Sequence, residues 1–270
     1  MQETGNNQHK TYSLSIRISA DGFSFYCCSP QFLPAIENES YRFDTDSNQA
    51  AVIEKALSTS NLLKRNYTTV QCLIAGPSIQ IPLEYFRKEE ATAFYQLSYA
   101  ETEARKTYYN ILPSLEIAEV FTVDKTVEEV LRQHFPQIRF FHIHTMLLEK
   151  MALQPASENQ HLYVYLHDKS MFTFCFNGQQ LEFANTFSAD ETGNLTYFLL
   201  SVWKDLEFDA EKDVCVFLGN HTLIQDVTAS LSKYIRHINK LPASQLYRRS
   251  SLAQAPDVPL DILTLLLNIV

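Results

Sequence analysis

Two stretches of the chain alternate apolar and polar positions in the same way. Residues 14–18 read Leu-Ser-Ile-Arg-Ile, a period of two that marks a strand with one face in a core. The turn Ser19-Ala20-Asp21-Gly22 follows, and then Phe23-Ser24-Phe25-Tyr26-Cys27-Cys28, so this stretch predicts a β-hairpin. From Leu162 the chain reads Leu-Tyr-Val-Tyr-Leu, then His167-Asp168-Lys169-Ser170-Met171, then Phe172-Thr173-Phe174-Cys175-Phe176. That is a second hairpin with one more turn residue, and Phe23-Ser24-Phe25 stands over Phe172-Thr173-Phe174. Downstream of the first hairpin, a helix is predicted from Asn48 to Ser60, with apolar Ala51, Val52, Ala56 and Leu57. It leads to a strand from Val70 to Ala75 ending at Gly76, and then to a helix from Ile81 to Phe86. Downstream of the second come a strand (Leu181 to Phe187) and a helix (Gly193 to Leu206), with Leu195, Phe198, Leu199, Val202 and Leu206 on one side. A strand from Val214 to Leu218 ending at Gly219 follows, and a helix from Leu223 to Ile238. Cys72 and Gly76 stand over Cys215 and Gly219. Order and spacing agree, so the chain reads as a duplication of one unit: hairpin, strand, helix, strand, helix.

The segment between the repeats, 89–153, predicts a helix near Glu90–Tyr99 and strands at Tyr108–Leu112 and Ala118–Val123. A helix from Thr126 to Phe135 follows, with Thr126 and Glu129 spaced as a capping box. A strand from Ile138 to Ile143 and a helix from Thr145 to Leu153 complete the segment. The expected organisation is a disordered polar N-terminus (1–10), a first half (11–88), a middle lobe (89–153), a polar linker (154–160) and a second half (161–270). The last helix, Pro259 to Val270, is apolar except for a stripe of Asp261, Thr264 and Asn268. It must bury most of its circumference, either completing the core of the second half or docking on a partner or a second subunit. Continuous apolar strands alternating with helices indicate an α/β protein with helices packed on mixed sheets.

Composition narrows the chemistry. Six glycines are scattered over 270 residues, so no G-x-G-x-x-G fingerprint, Walker A loop or G-x-S-x-G elbow is present. The formal net charge is −9, and the basic pairs (Lys64-Arg65, Arg87-Lys88, Arg105-Lys106, Arg248-Arg249) are small, so no nucleic-acid partner is expected. The five cysteines lie in apolar, strand-like runs without a C-x-x-C pair, which fits buried free thiols in a reducing cytoplasm. Adjacent Cys27 and Cys28 point to opposite faces of a strand, which argues against a vicinal redox pair. The polar start of the chain is not a signal peptide. The longest apolar segment, Leu260–Val270, is too short to cross a bilayer, so a cytoplasmic location is expected. His142 and His144 would share one face of a strand and could reach one metal ion, with His134 or His161 as a distant third ligand and no carboxylate at a characteristic spacing. The favoured reading puts them at a strand end before a helix capped by Thr145, with no metal assigned. Paired aromatics such as Phe94-Tyr95, Tyr108-Tyr109 and Phe140-Phe141 mark the middle lobe as the place for a partner surface.

Two copies of this unit are the plan of the actin-like ATPase superfamily, built on two ribonuclease H-like halves. The whole chain resembles an uncharacterised family of Bacteroidetes proteins with that fold and no assigned activity. The resemblance rests on the Leu14–Cys28 hairpin, the Gln71–Ile81 stretch leading into Pro82-Leu83-Glu84-Tyr85-Phe86, and the Leu162–Phe176 hairpin. The chain is also similar to pilus-assembly and secretion-platform members of the superfamily, some of which are docking scaffolds. The resemblance implies ATP between the halves, with its phosphates held by the two hairpin turns. Those turns typically carry Asp-x-Gly and a small hydroxyl residue, so that main-chain N–H groups reach the phosphates while Asp organises Mg²⁺. Here the first turn offers Asp21 and Gly22 followed by bulky Phe23. The second offers Asp168 and Ser170 without a glycine. The adenosine side offers Gly219 and Asn220, where paired glycines are usual. This implies a degenerate nucleotide cleft, no required cofactor, and a non-catalytic interaction or scaffold role for an unidentified protein partner or a homodimer. The rival is an actin-like ATPase or kinase relative that takes Mg-ATP in an atypical cleft. A third class is a metal hydrolase using His142 and His144.

Overall fold

The computed structural model describes residues 12–28, 36–44, 48–100, 103–155, 157–189, 192–255 and 258–268. The N-terminal segment 1–10, expected to be disordered, lies outside them. The first hairpin forms as β1 (Tyr12–Ile18) and β2 (Gly22–Cys28), followed by β3 (Ile36–Arg42), α1 (Gln49–Thr59) and β4 (Tyr67–Ile74). Then come β5 (Ser78–Pro82), α2 (Ala91–Ser98), β6 (Arg105–Leu112), β7 (Ile117–Asp124), α3 (Lys125–His134), β8 (Arg139–His142) and α4 (Ile143–Ala152). The second hairpin forms as β9 (His161–His167) and β10 (Ser170–Asn177). It is followed by β11 (Gln180–Ser188), α5 (Thr192–Asp205), β12 (Val214–Leu218), α6 (Ile224–Leu231), β13 (His237–Leu241), α7 (Ala243–Leu246) and α8 (Leu260–Asn268).

The duplication is visible in the sheets. The first runs β3-β2-β1-β4-β8 and the second β11-β10-β9-β12-β13. In each, the first three strands are antiparallel and the last two run parallel to the first strand of the hairpin. On the outer face of the first sheet, α1 buries Ala50, Ile53, Ala56 and Leu57, a helical stripe offset by one position from the expected Ala51 and Val52. There it meets Val127 and Leu131 of α3. The matching face of the second sheet is covered by Leu195, Leu199, Val202 and Trp203 of α5 and by Ile224, Val227 and Leu231 of α6.

Between the sheets lie α4 and α8, the helices reached after the fifth strand of each half. Leu147, Leu148 and Met151 of α4 pack on Tyr163, Phe172 and Phe174 of the second sheet. Ile143 and Met146 join Ile262, Leu265 and Leu266 of α8 against Tyr26 and Leu73 of the first. Thus α8 does not complete the core of its own half. Its Ile262, Leu265 and Leu266 cross to the first half, while Leu260 at its start packs on the second. Burial of the three α8 side chains contributes about 1.5–3 kcal/mol each, which makes the helix a strap between the halves.

Several expected elements change. Residues 81–86 are not a helix: Ile79 and Ile81 alternate in β5, which pairs antiparallel with β7, and Pro82 ends the strand and turns the chain. The expected helix Leu223–Ile238 stops at Leu231, and the chain then adds β13 beside β12. Strands β3 and β13 escape a hydrophobic pattern because both are polar sheet edges, Ile-Glu-Asn-Glu-Ser-Tyr-Arg and His-Ile-Asn-Lys-Leu. The cap of α3 is Asp124, whose carboxylate accepts from the Thr126 and Val127 N–H groups, not the Thr126–Glu129 box. The expected middle lobe, 89–153, divides: β6 and β7 join β5 in a separate three-stranded sheet, whereas α3 and β8 complete the first half.

Candidate functional site

The two hairpin turns face each other across the halves, and what lies between them is an arginine. In β1, Leu14, Ile16 and Ile18 enter the outer core, so alternation turns Ser15 and Arg17 to the opposite face, under α8. Arg17 is 8% exposed. Its Nε donates to Asp261 Oδ2 at 2.9 Å. Its Nη1 and Nη2 donate to the two oxygens of Asp168 at 3.2 and 2.7 Å, a bidentate fork. The guanidinium therefore joins β1 of the first half, the second hairpin turn, and the strap helix.

Burial disfavours the charge on Arg17, but the carboxylates of Asp261 and Asp168 outweigh it and hold the guanidinium well above its ordinary value. Burial likewise opposes ionisation of Asp168. Hydrogen bonds from His167 and Arg17 overcome it and hold this carboxyl well below the usual range. His167 Nδ1 lies 3.1 Å from Asp168 Oδ2, and burial pushes its imidazole down. Asp168 has φ 48°, so an aspartate takes the left-handed turn position that glycine would otherwise fill.

Two cavities flank this ion cluster. One, of about 420 Å³, contains Gly219, Asn220, His221 and Ser244 in its wall. The other, of about 550 Å³, contains Ser19, Asp21, Gly22, Tyr41 and Lys169. Arg17 and Asp168 line both, so the pair is the partition between them. Of the residues expected at a nucleotide cleft, Asp21, Gly22, Asp168, Gly219 and Asn220 do gather here. Ser170 starts β10, paired with His167 and Ser188, and lines neither cavity.

The two glycines have local explanations. A Cβ on Gly22 would stand 2.2 Å from the carbonyl oxygen of Tyr41, so the close approach of β3 requires glycine there. Gly219 has φ 71°, and a Cβ would meet Leu260 Cβ at 3.3 Å. The first residue of α8 thus covers this glycine. Asp21 is exposed, with Lys169 Nζ at 3.8 Å across the cleft.

His142 and His144 do come together, although neither His134 nor His161 joins them. The third member is Glu119 of β7, and all three are buried. Arg17, Asp261 and Glu119 were missed as site residues by sequence reasoning. A signal for each was present: a single charge within an otherwise apolar strand or helix, which burial tolerates only with a partner. Four of the five cysteines are buried as expected, and Cys28 is half-buried. All are unpaired; Cys27 faces the outer core and Cys28 the opposite side, and burial pushes the thiols of Cys175 and Cys215 up to about 12. Among the described residues no helix is long and apolar enough to cross a membrane.

Comparison with known proteins agrees with this architecture. A crystal structure from Bacteroides thetaiotaomicron VPI-5482, of a protein with actin-like ATPase fold and unknown function, matches at TM-score 0.82 and 28% identity. The match covers 96% of each chain. A chain of the PilM-PilN type IV pilus biogenesis complex matches at TM-score 0.57 and 12% identity over 96% of this chain and 98% of that one, a likeness of fold. No curated protein matches. The fold is therefore an α/β actin-like ATPase fold with two sheet-containing halves. Residues 2–238 match the family model described as protein of unknown function DUF3822, and the chain belongs to that family.

Proposed function

We propose that this chain is a protein-interaction or scaffold protein in which the nucleotide cleft of the fold has become an internal ionic contact. The observation that carries the reading is the position of Arg17. In an actin-like ATPase, the Asp of the second turn is free to organise Mg²⁺ and the phosphates. Here both oxygens of Asp168 are committed to the guanidinium, which is also tied to Asp261. Removing one member of a buried ion cluster costs about 3–5 kcal/mol. A ligand with millimolar affinity gains only about 4 kcal/mol in all, so a Mg-nucleotide that had to open the cluster would retain almost no net affinity. The first turn supports the same reading, since Tyr41 accounts for its glycine without a phosphate.

An interaction role fits the company of the fold, because PilM is found in a complex with PilN. The partner of this chain would be a protein or a second copy, with no cofactor required. The reading is tested by phosphate release and thermal melting in about 1 mM Mg-ATP. No turnover above background and no gain in melting temperature are expected. Turnover that disappears in Asp21→Ala, or a saturable gain in melting temperature, would overturn it and favour the kinase-like alternative.

A further inference from the structure

The structure assigns a second site, distinct from the cleft: we propose that Glu119, His142 and His144 bind a structural transition-metal ion of the zinc class. The three come from different elements. Glu119 is on β7, His142 is the last residue of β8, and His144 is in the first turn of α4. All are essentially sealed from solvent, at 0, 0 and 1% exposure. One nitrogen or oxygen of each lies within 4.8 Å of the others.

Hydrogen bonding orients these atoms toward one another. His142 Nε2 lies 2.9 Å from the Gly76 carbonyl oxygen. A carbonyl only accepts, so Nε2 carries the proton. His142 Nδ1 accepts the backbone N–H of His144 at 3.3 Å, which selects the lone-pair form of that nitrogen. This lone pair nevertheless faces Glu119 Oε1 at 3.1 Å. The same oxygen is 3.3 Å from His144 Nδ1, which is itself 3.3 Å from Ser78 Oγ. With His142 as an imidazolium, both Nδ1–H groups could donate to Glu119 Oε1; a metal ion is the arrangement that leaves both buried rings neutral, and in either case His142 Nδ1 gives up the long 3.3 Å bond from the His144 N–H. A metal ion fits the separations of Glu119 Oε1 from the two Nδ1 atoms: with bonds of about 2.0–2.1 Å, a tetrahedral ion has ligand–ligand edges of roughly 3.3–3.4 Å, against 3.1 and 3.3 Å here.

The surroundings are those of a metal centre. The Gly76 carbonyl fixes the tautomer of His142. The Gln80 side-chain amide donates to both oxygens of Glu119, at 3.1 and 2.9 Å, and so orients the carboxylate. The His144 ring stacks on Phe172 of the second sheet, with centroids 3.5 Å apart. Two imidazoles and one carboxylate suit Zn²⁺, with Ser78 Oγ or a water as fourth ligand. Because the site is closed, its role would be to pin the three-stranded sheet to the end of the first sheet, next to the second half. This inference stands independently of the scaffold reading.

The test uses the untagged full chain. Metal content is measured as purified, and the chelator-treated chain is then titrated with Zn²⁺ and with Co²⁺. About one equivalent per chain is expected, with a rise in melting temperature and visible Co²⁺ d–d absorption of tetrahedral intensity. Glu119→Gln and His142→Asn should reduce bound metal to background. Gln80→Met should weaken binding about 10–100-fold, and His161→Gln should retain full occupancy. Should the ligand variants fail to fold, the wild-type Co²⁺ spectrum decides. A folded wild-type chain that takes up neither ion, or metal retained in folded Glu119→Gln, would overturn the proposal and leave the cluster as a proton-sharing network.

Discussion

The two hairpin turns occupy equivalent places in the duplicated fold and have diverged in opposite ways. The first, Ser19–Gly22, keeps the Asp-Gly pair of a phosphate-binding turn, yet Asp21 is exposed at the cleft beside Lys169 and Gly22 is required by the neighbouring strand. The second, His167–Ser170, has no glycine, and its Asp168 forms a bidentate ion pair with Arg17 of the other half. The motif-like turn is the one without a buried ion pair; the turn that departs from the motif is bound to the other half through Arg17. Sequence similarity to a nucleotide turn is thus a poor guide to which aspartate is committed. What decides is whether the cation from the opposite half is buried against it: Arg17 is, whereas Lys169 beside Asp21 is exposed.

Substitutions can break this contrast. The largest effect belongs to Arg17→Met, which takes the guanidinium from two carboxylates, leaving Asp168 with only His167 and the fully buried Asp261 without a cation. A loss of about 3–5 kcal/mol is expected in chemical denaturation. Asp168→Asn should cost about 1.5–3 kcal/mol, since Arg17 keeps Asp261 but loses a charged partner. Its cost should also depend on pH. The folded-state pKa of Asp168 lies below that of the unfolded chain, so its contribution is present above about pH 4 and lost as pH falls through the folded value. Wild type and Asp168→Asn should therefore converge in stability towards strongly acidic pH, and a constant gap would count against the ion pair. Gly22→Ala should cost about 1–3 kcal/mol, because a Cβ would collide with a backbone oxygen that cannot move without the strand. Asp21→Ala should stay within about 0.5 kcal/mol, the surface control that completes the comparison.

Much of the fold could be read from the pattern of residues. Both hairpins, the helices after them and the repeat itself are carried by apolar alternation and helical stripes, which are local signals. Strands β3 and β13 were not legible, because an edge strand needs no apolar face and borrows its register from a neighbour. Residues 81–86 misled for the opposite reason: Ile79 and Ile81 acquire a strand conformation only from β7, about forty residues later. At the cleft, the resemblance to a nucleotide-binding fold pointed to Asp21, Gly22, Asp168, Gly219 and Asn220, which do face the space between the halves. Arg17 and Asp261 were visible only as lone charges in apolar elements, and their meeting across 244 residues is a property of the folded chain. Glu119 is a parallel case: it sits in the apolar run Ile-Ala-Glu-Val-Phe-Thr-Val, and nothing in its spacing leads to His142.

The central claim is that Arg17 holds the place a nucleotide would need. Titration calorimetry of the wild-type full chain with Mg-ATP addresses it directly. The account requires no saturable heat up to millimolar nucleotide. One-site binding by the intact wild-type chain, weakened by Asp21→Ala, would contradict it.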